Sequence, residues 1–174
     1  MGRLLDRLYW AAAIMSAMFI VLICILISAQ VFLNILGRFA PGVLPSTIPS
    51  YADFSGFMLA ASTFLALAYT LRSGGHIRVS LFVERLPKGC VPWIEGFALV
   101  AGLCFVGLGL WFAGVLVGES WHFGDVSSGI VPIPLWIPQT IMCLGLGLLF
   151  LALSHTLVDL LRSRQSVLSS GKGD

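Results

Sequence analysis

The chain has 174 residues, 58% of them hydrophobic and only 10% charged, where an ordinary soluble domain carries about 25% charged residues. Together with a mean hydropathy of +0.98, this excludes a soluble globular domain and points to a membrane protein. The formal net charge of +2 is too small to suggest a nucleic-acid partner.

The N-terminal MGRLLDRLYW sets basic residues ahead of an apolar run, as a signal peptide does. The run continues without a charge from Leu8 to Gly37, whereas a cleavable signal core is about 7 to 15 residues, so it is expected to remain as a spanning helix. Three more charge-free runs follow: Phe54 to Leu71, Gly96 to Gly118 and Val126 to Val158. A span needs about 20 mostly apolar residues to cross a hydrocarbon core of about 30 Å, and all four qualify, the second with help from Tyr51 and Ala52. The expected architecture is an all-α membrane protein with spans at about 8–37, 51–71, 92–118 and 134–161. The first and fourth runs are longer than needed and should tilt or protrude. No internal repeat is evident.

Lys and Arg set the orientation. With the N-terminus inside, the cytoplasmic segments hold Arg3, Arg7, Arg72, Arg78, Arg85, Lys88, Arg162, Arg164 and Lys172, and the outside holds only Arg38. Positive charge resists translocation, so both termini are expected in the cytoplasm. The outer loops are then Phe39 to Ser50, with Pro41, Pro45 and Pro49, and Glu119 to Val131. Pro132, Pro134 and Pro138 lead into the fourth span, where a first helical turn tolerates proline. Trp111, Trp121 and Trp136 are expected at the outer interface, and Tyr9, Trp10, Tyr69 and Trp93 at the inner one.

The single cytoplasmic loop, LRSGGHIRVSLFVERLPKG (Leu71 to Gly89), is the most charged part of the chain. Gly74 and Gly75 end the second helix. Val79, Phe82, Val83 and Leu86 then recur at helical spacing, with Arg78, Glu84, Arg85 and Lys88 mostly on the other side. Ile77 and Leu81 intrude on that polar side, and Pro87 and Gly89 end the pattern. The reading is a short amphipathic surface helix at about 76–86, its apolar stripe in the lipid boundary and its cations near anionic headgroups. A solvated loop is the competing account.

No span carries a proline at its middle or a charge at depth. A secondary transporter binds cargo near the midplane at broken helices, and a charge there costs about 2.5 to 3.5 kcal/mol or more on insertion scales, so it is kept chiefly where it works. Its absence argues against autonomous ion-coupled transport. Cys24, Cys90, Cys104 and Cys143 are scattered, with no C-x-x-C pair for redox chemistry, and the three that lie within spans read as small packing residues. His76, His122 and His155 fall at different depths, which disfavours paired haem ligation. His155, one turn before Asp159, reads as a local hydrogen-bonding partner of that carboxylate. No catalytic, cofactor-binding or metal-binding residue emerges.

What remains are packing surfaces and polar ends. Ala98, Gly102, Gly107, Gly109, Gly114 and Gly118 on the third helix, Ala60, Ala61, Ala66 and Ala68 on the second, and Gly145 and Gly147 on the fourth would allow close helix approach, within the chain or against a second protein. At the outer face, Asn34 and Arg38 are one turn apart, and an Arg38–Asp53 pair would tie the first two helices. Asp53, Glu119 and Asp125 are alternatively docking residues.

Three stretches carry a family resemblance. ASTFLALAYTLRSGGHIRVSLFVERLP (Ala61 to Pro87), NILGR (Asn34 to Arg38) and SSGIVPIPLWIPQTIMCLGLGLL (Ser127 to Leu149) resemble the small membrane subunit, the DctQ type, of tripartite ATP-independent periplasmic transporters. Ser80 departs from that pattern, since many relatives have an acidic residue there. The resemblance implies a multi-pass protein of the bacterial inner membrane with no enzymatic activity and no cofactor of its own. A soluble periplasmic protein would capture an organic anion, and a large membrane subunit would move it inward on a sodium gradient, binding the sodium ions itself. The small subunit would enlarge the static scaffold. Implied partners are the large subunit, the periplasmic binding protein, in transient contact, and phospholipids. Arg72, His76, Arg78 and Arg85 would contact the large subunit or lipid, with topology control as the competing account. The alternatives are a self-contained small four-helix transporter or membrane redox protein, and a structural tetraspan with no transport role.

Overall fold

The computed structural model describes residues 2–39, 45, 47–73 and 91–163. These form four α-helices: α1 (Gly2–Phe39), α2 (Tyr51–Arg72), α3 (Val91–Phe123) and α4 (Trp136–Ser163). All four are long and apolar enough to cross a membrane. The surface helix expected at 76–86, with His76, Arg78 and Arg85, lies outside the described residues, as does Pro41 of the first outer loop.

Each helix follows from its composition. Leu, Ile, Ala, Met and Phe fill the charge-free runs, and in lipid only a helix satisfies every backbone group within its own segment. The only prolines in these helices, Pro92 and Pro138, fall in first turns, where no backbone donor is lost. The observed helices outrun the expected spans. α3 continues five residues past Gly118 and takes in Glu119, because an exposed carboxylate beyond the hydrocarbon ends a charge-free run but not a helix. Glu119 therefore stands on the last turns of α3 rather than in a loop. At about 1.5 Å per residue α1 is about 57 Å long and α3 about 50 Å, so both project beyond a core of about 30 Å.

The helices pack in the neighbour order α1, α2, α4, α3. Neighbours in the two sequential hairpins run antiparallel: Ser16 meets Ser62 across α1 and α2, while Gly102 and Gly107 meet Leu153 and Phe150 across α3 and α4. The central pair, α2 and α4, runs parallel. Ser50 meets Val131, Phe64 meets Gly145 and Arg72 meets Asp159, in the same order along both helices. In order and direction the four helices are unchanged by a half-turn about an axis between α2 and α4, a symmetry of arrangement that the sequence does not display as a repeat.

α4 meets the backbone of α2 at Gly145. A Cβ built there would lie 2.6 Å from the backbone C and O of Phe64 and 2.7 Å from its Cβ, so only glycine permits this spacing. Around it, Ala68 and Ala152 are fully buried with Tyr9, and Leu99, Val106, Leu149, Leu153 and Leu160 form the core between α3 and α4. Outside these seams the surface is apolar. Phe97, Phe105 and Trp111 on α3 are 78%, 80% and 70% exposed, which lipid accepts and water would not.

Candidate functional site

Polar side chains collect at the two ends of the helices. At one end Arg72, the last residue of α2, donates from Nη1 to Asp159 Oδ2 of α4 at 3.3 Å. Its Nη2 lies 3.8 Å from Asp6 Oδ1 of α1. One guanidinium thus links three helices, and its fork suits two separate carboxylates. His155 Nε2 is 3.8 Å from the same Asp159 oxygen, beyond hydrogen-bond length. The local hydrogen bond expected between them is therefore absent, and the contact is an ion pair only when the imidazole is protonated. Beneath the guanidinium, Tyr9 is 1% exposed and packs with Ala68 and Ala152. It is a core residue joining α1, α2 and α4 rather than a member of an aromatic belt, while Trp10, Tyr69 and Trp93 are exposed. The Tyr9 hydroxyl is buried without a hydrogen-bond partner.

At the opposite end Gln30 of α1, 4% exposed, donates from Nε2 to Thr47 Oγ1 at 3.1 Å and accepts from the Ile48 amide at 2.7 Å. That amide fixes the chain entering α2. Ser50 then adopts a left-handed conformation, φ 55, and its hydroxyl accepts from the Val131 amide at 2.8 Å instead of capping its own helix. Gly124, φ 69, ends α3 with the Asp125 amide bonded to the Ser120 carbonyl at 3.1 Å, a glycine termination. The chain returns as a short antiparallel hairpin, with Ser127 N to Ile133 O at 2.8 Å and Leu135 N to Asp125 O at 2.9 Å. Gly129 lies so close to the Asp53 carboxylate and Ser50 hydroxyl that a Cβ would overlap Asp53. Trp121 and Trp136 meet edge to face, with ring centroids 4.7 Å apart.

The expected Arg38–Asp53 pair is not formed among the described residues. Gln30 is level with Ile48, so Arg38 stands two turns further out, about 12 Å by helix rise, while Asp53 lies inside the first turn of α2. Asn34, Arg38, Glu119 and Asp125 are exposed and Asp53 is half-buried beside Gly129. Of the expected contact residues at the other end only Arg72 lies among those described, three-quarters buried and engaged with Asp6 and Asp159.

Between the two ends, the polar contact that crosses helices is a serine pair. Ser16 Oγ donates to the Ser62 carbonyl at 2.8 Å and meets Ser62 Oγ at 2.9 Å, and Ser62 Oγ reaches the Ser16 carbonyl at 3.1 Å. Sequence reading overlooked this pair, although serine inside a charge-free run was its signal. Thr70, Thr140, Ser154 and Thr156 satisfy their hydroxyls on carbonyls of their own helices. An open groove of about 370 Å³ on α1 is lined by Ile27, Ser28, Val31, Phe32 and Ile35. Among the described residues no group of three His, Cys, Asp or Glu side chains is placed to hold a metal ion.

The family model described as "Tripartite ATP-independent periplasmic transporters, DctQ component" matches residues 27–163. The match takes in both polar ends of α2 and α4 but stops short of Asp6, Tyr9 and Ser16. No curated protein and no solved structure matches the chain. With most of its length matched, its four helices able to span a membrane and all three resembling stretches inside the matched region, the chain belongs to the DctQ family, the small membrane subunit of tripartite ATP-independent periplasmic transporters.

Proposed function

We propose that this chain is a non-catalytic scaffold for the large membrane subunit of a transporter that imports an organic anion with sodium coupling, the anion arriving on a periplasmic binding protein. The observation that carries the reading is the placement of charge. Asp6, Arg72, Glu95 and Asp159 lie toward one end of the helices, and Arg38, Asp53, Glu119 and Asp125 toward the other. Among the described residues the stretch between is bridged by the hydroxyls and carbonyls of Ser16 and Ser62. An anion or a sodium ion crossing at mid-depth needs fixed charge, broken helix ends or freed carbonyls to replace its water, and the unbroken helices offer none of these among the described residues. Cargo and sodium ions are accordingly assigned to the large subunit, and neither an enzymatic activity nor a cofactor is assigned to this chain.

Basic residues favour the orientation with the Arg72 end in the cytoplasm and the Ser50 end in the periplasm, and the family supports the bacterial inner membrane as its place. Asp53, Glu119 and Asp125 then face the compartment of the binding protein, and contact with the large subunit or lipid phosphates is proposed for His76, Arg78 and Arg85, Arg72 being engaged with Asp6 and Asp159. Reconstitution tests the reading. Proteoliposomes holding this chain alone should accumulate no organic anion under a sodium gradient, and adding the large subunit and binding protein should restore uptake. Accumulation by the chain alone would refute it. Docking is tested separately with Asp53→Asn, Glu119→Gln and Asp125→Asn: reduced uptake at normal membrane abundance supports it, and unchanged uptake removes it.

A further inference from the structure

We draw no further inference here: the strongest candidate, the outward face of α3 along Phe97, Phe105, Leu108 and Phe112, is an unpartnered apolar face and nothing in the structure shows what covers it.

Discussion

Replacing Gly145 by alanine tests the packing of α4 against the backbone of α2. The added methyl would sit 2.6 Å from the Phe64 carbonyl carbon and oxygen, against an ordinary carbon–carbon contact of about 3.5 to 4.0 Å. Backbone cannot swing aside as a side chain can, so α2 and α4 must separate locally by about 1 Å, the shortfall against that contact distance. The displacement reaches the Ala68 and Ala152 layer next along the seam. Overpacking of this kind costs about 1 to 3 kcal/mol, partly offset by about 0.8 to 1.0 kcal/mol of helix propensity gained on replacing glycine. Gly147→Ala is the control, since a Cβ there meets nothing within 4 Å. Reversible unfolding in mixed micelles should show Gly145→Ala clearly less stable than wild type and Gly147→Ala equal to it or slightly better. Equal stability of the two variants would refute the close-approach argument.

Other contacts give sharper contrasts. Ser16→Ala should cost on the order of 1 kcal/mol, between the average of about 0.6 and the maximum of about 1.7 kcal/mol for membrane interhelical hydrogen bonds. Ser16→Ala/Ser62→Ala should cost more than either single change but less than their sum, because each hydroxyl keeps its bond to the opposite carbonyl when the other is removed and only the contact between the two hydroxyls is shared; strict additivity in a double-mutant cycle would contradict this. Tyr9→Phe should be neutral or stabilising in the same assay, since the hydroxyl it removes has no hydrogen-bond partner and the ring keeps its packing. Arg72→Gln should lose on the order of 1 kcal/mol, as expected for part-exposed pairs, and the loss should shrink with added salt. Gly129→Ala should destabilise the hairpin through Asp53 and Ser50, and Asp53→Ala in the same chain should relieve part of the loss, the Ser50 contact remaining, measured by proteolysis of the 124–135 segment.

Element by element, what could be read from the residues was what lipid dictates and what could not was what neighbours dictate. The four spans were legible because a charge-free run in hydrocarbon has no alternative to the helix. Their ends were not, because Glu119 is compatible with a helix once it stands in water. Tyr9 fits the composition rule for an interface residue, yet whether a tyrosine faces lipid or a neighbouring helix depends on rotation, and here Ala68 and Ala152 leave room for its ring. The Arg38–Asp53 pairing failed on register alone: the Gln30 contact to Ile48 sets the depth of α1 against α2 and carries Arg38 past its expected partner. Small residues on three helices suggested close packing without saying where. Gly102 and Gly107 proved to face α4, whereas Gly109, Gly114 and Gly118 have open space where a Cβ would be.

The distribution of fixed contacts gives the fold its mechanical character. The parallel pair α2 and α4 is tied at one end by Arg72 to Asp159, in the middle by the glycine contact of Gly145 with Phe64, and at the other end by Ser50 to Val131. α1 is tied to α2 at matching depths by Asp6, Ser16 and Gln30. A subunit that alternated its access across the membrane would have to break one set of these ties while keeping the other, since rocking of one half against another opens one end as it closes the opposite one. Here both ends and the middle of the α2 and α4 seam are closed together in a single arrangement.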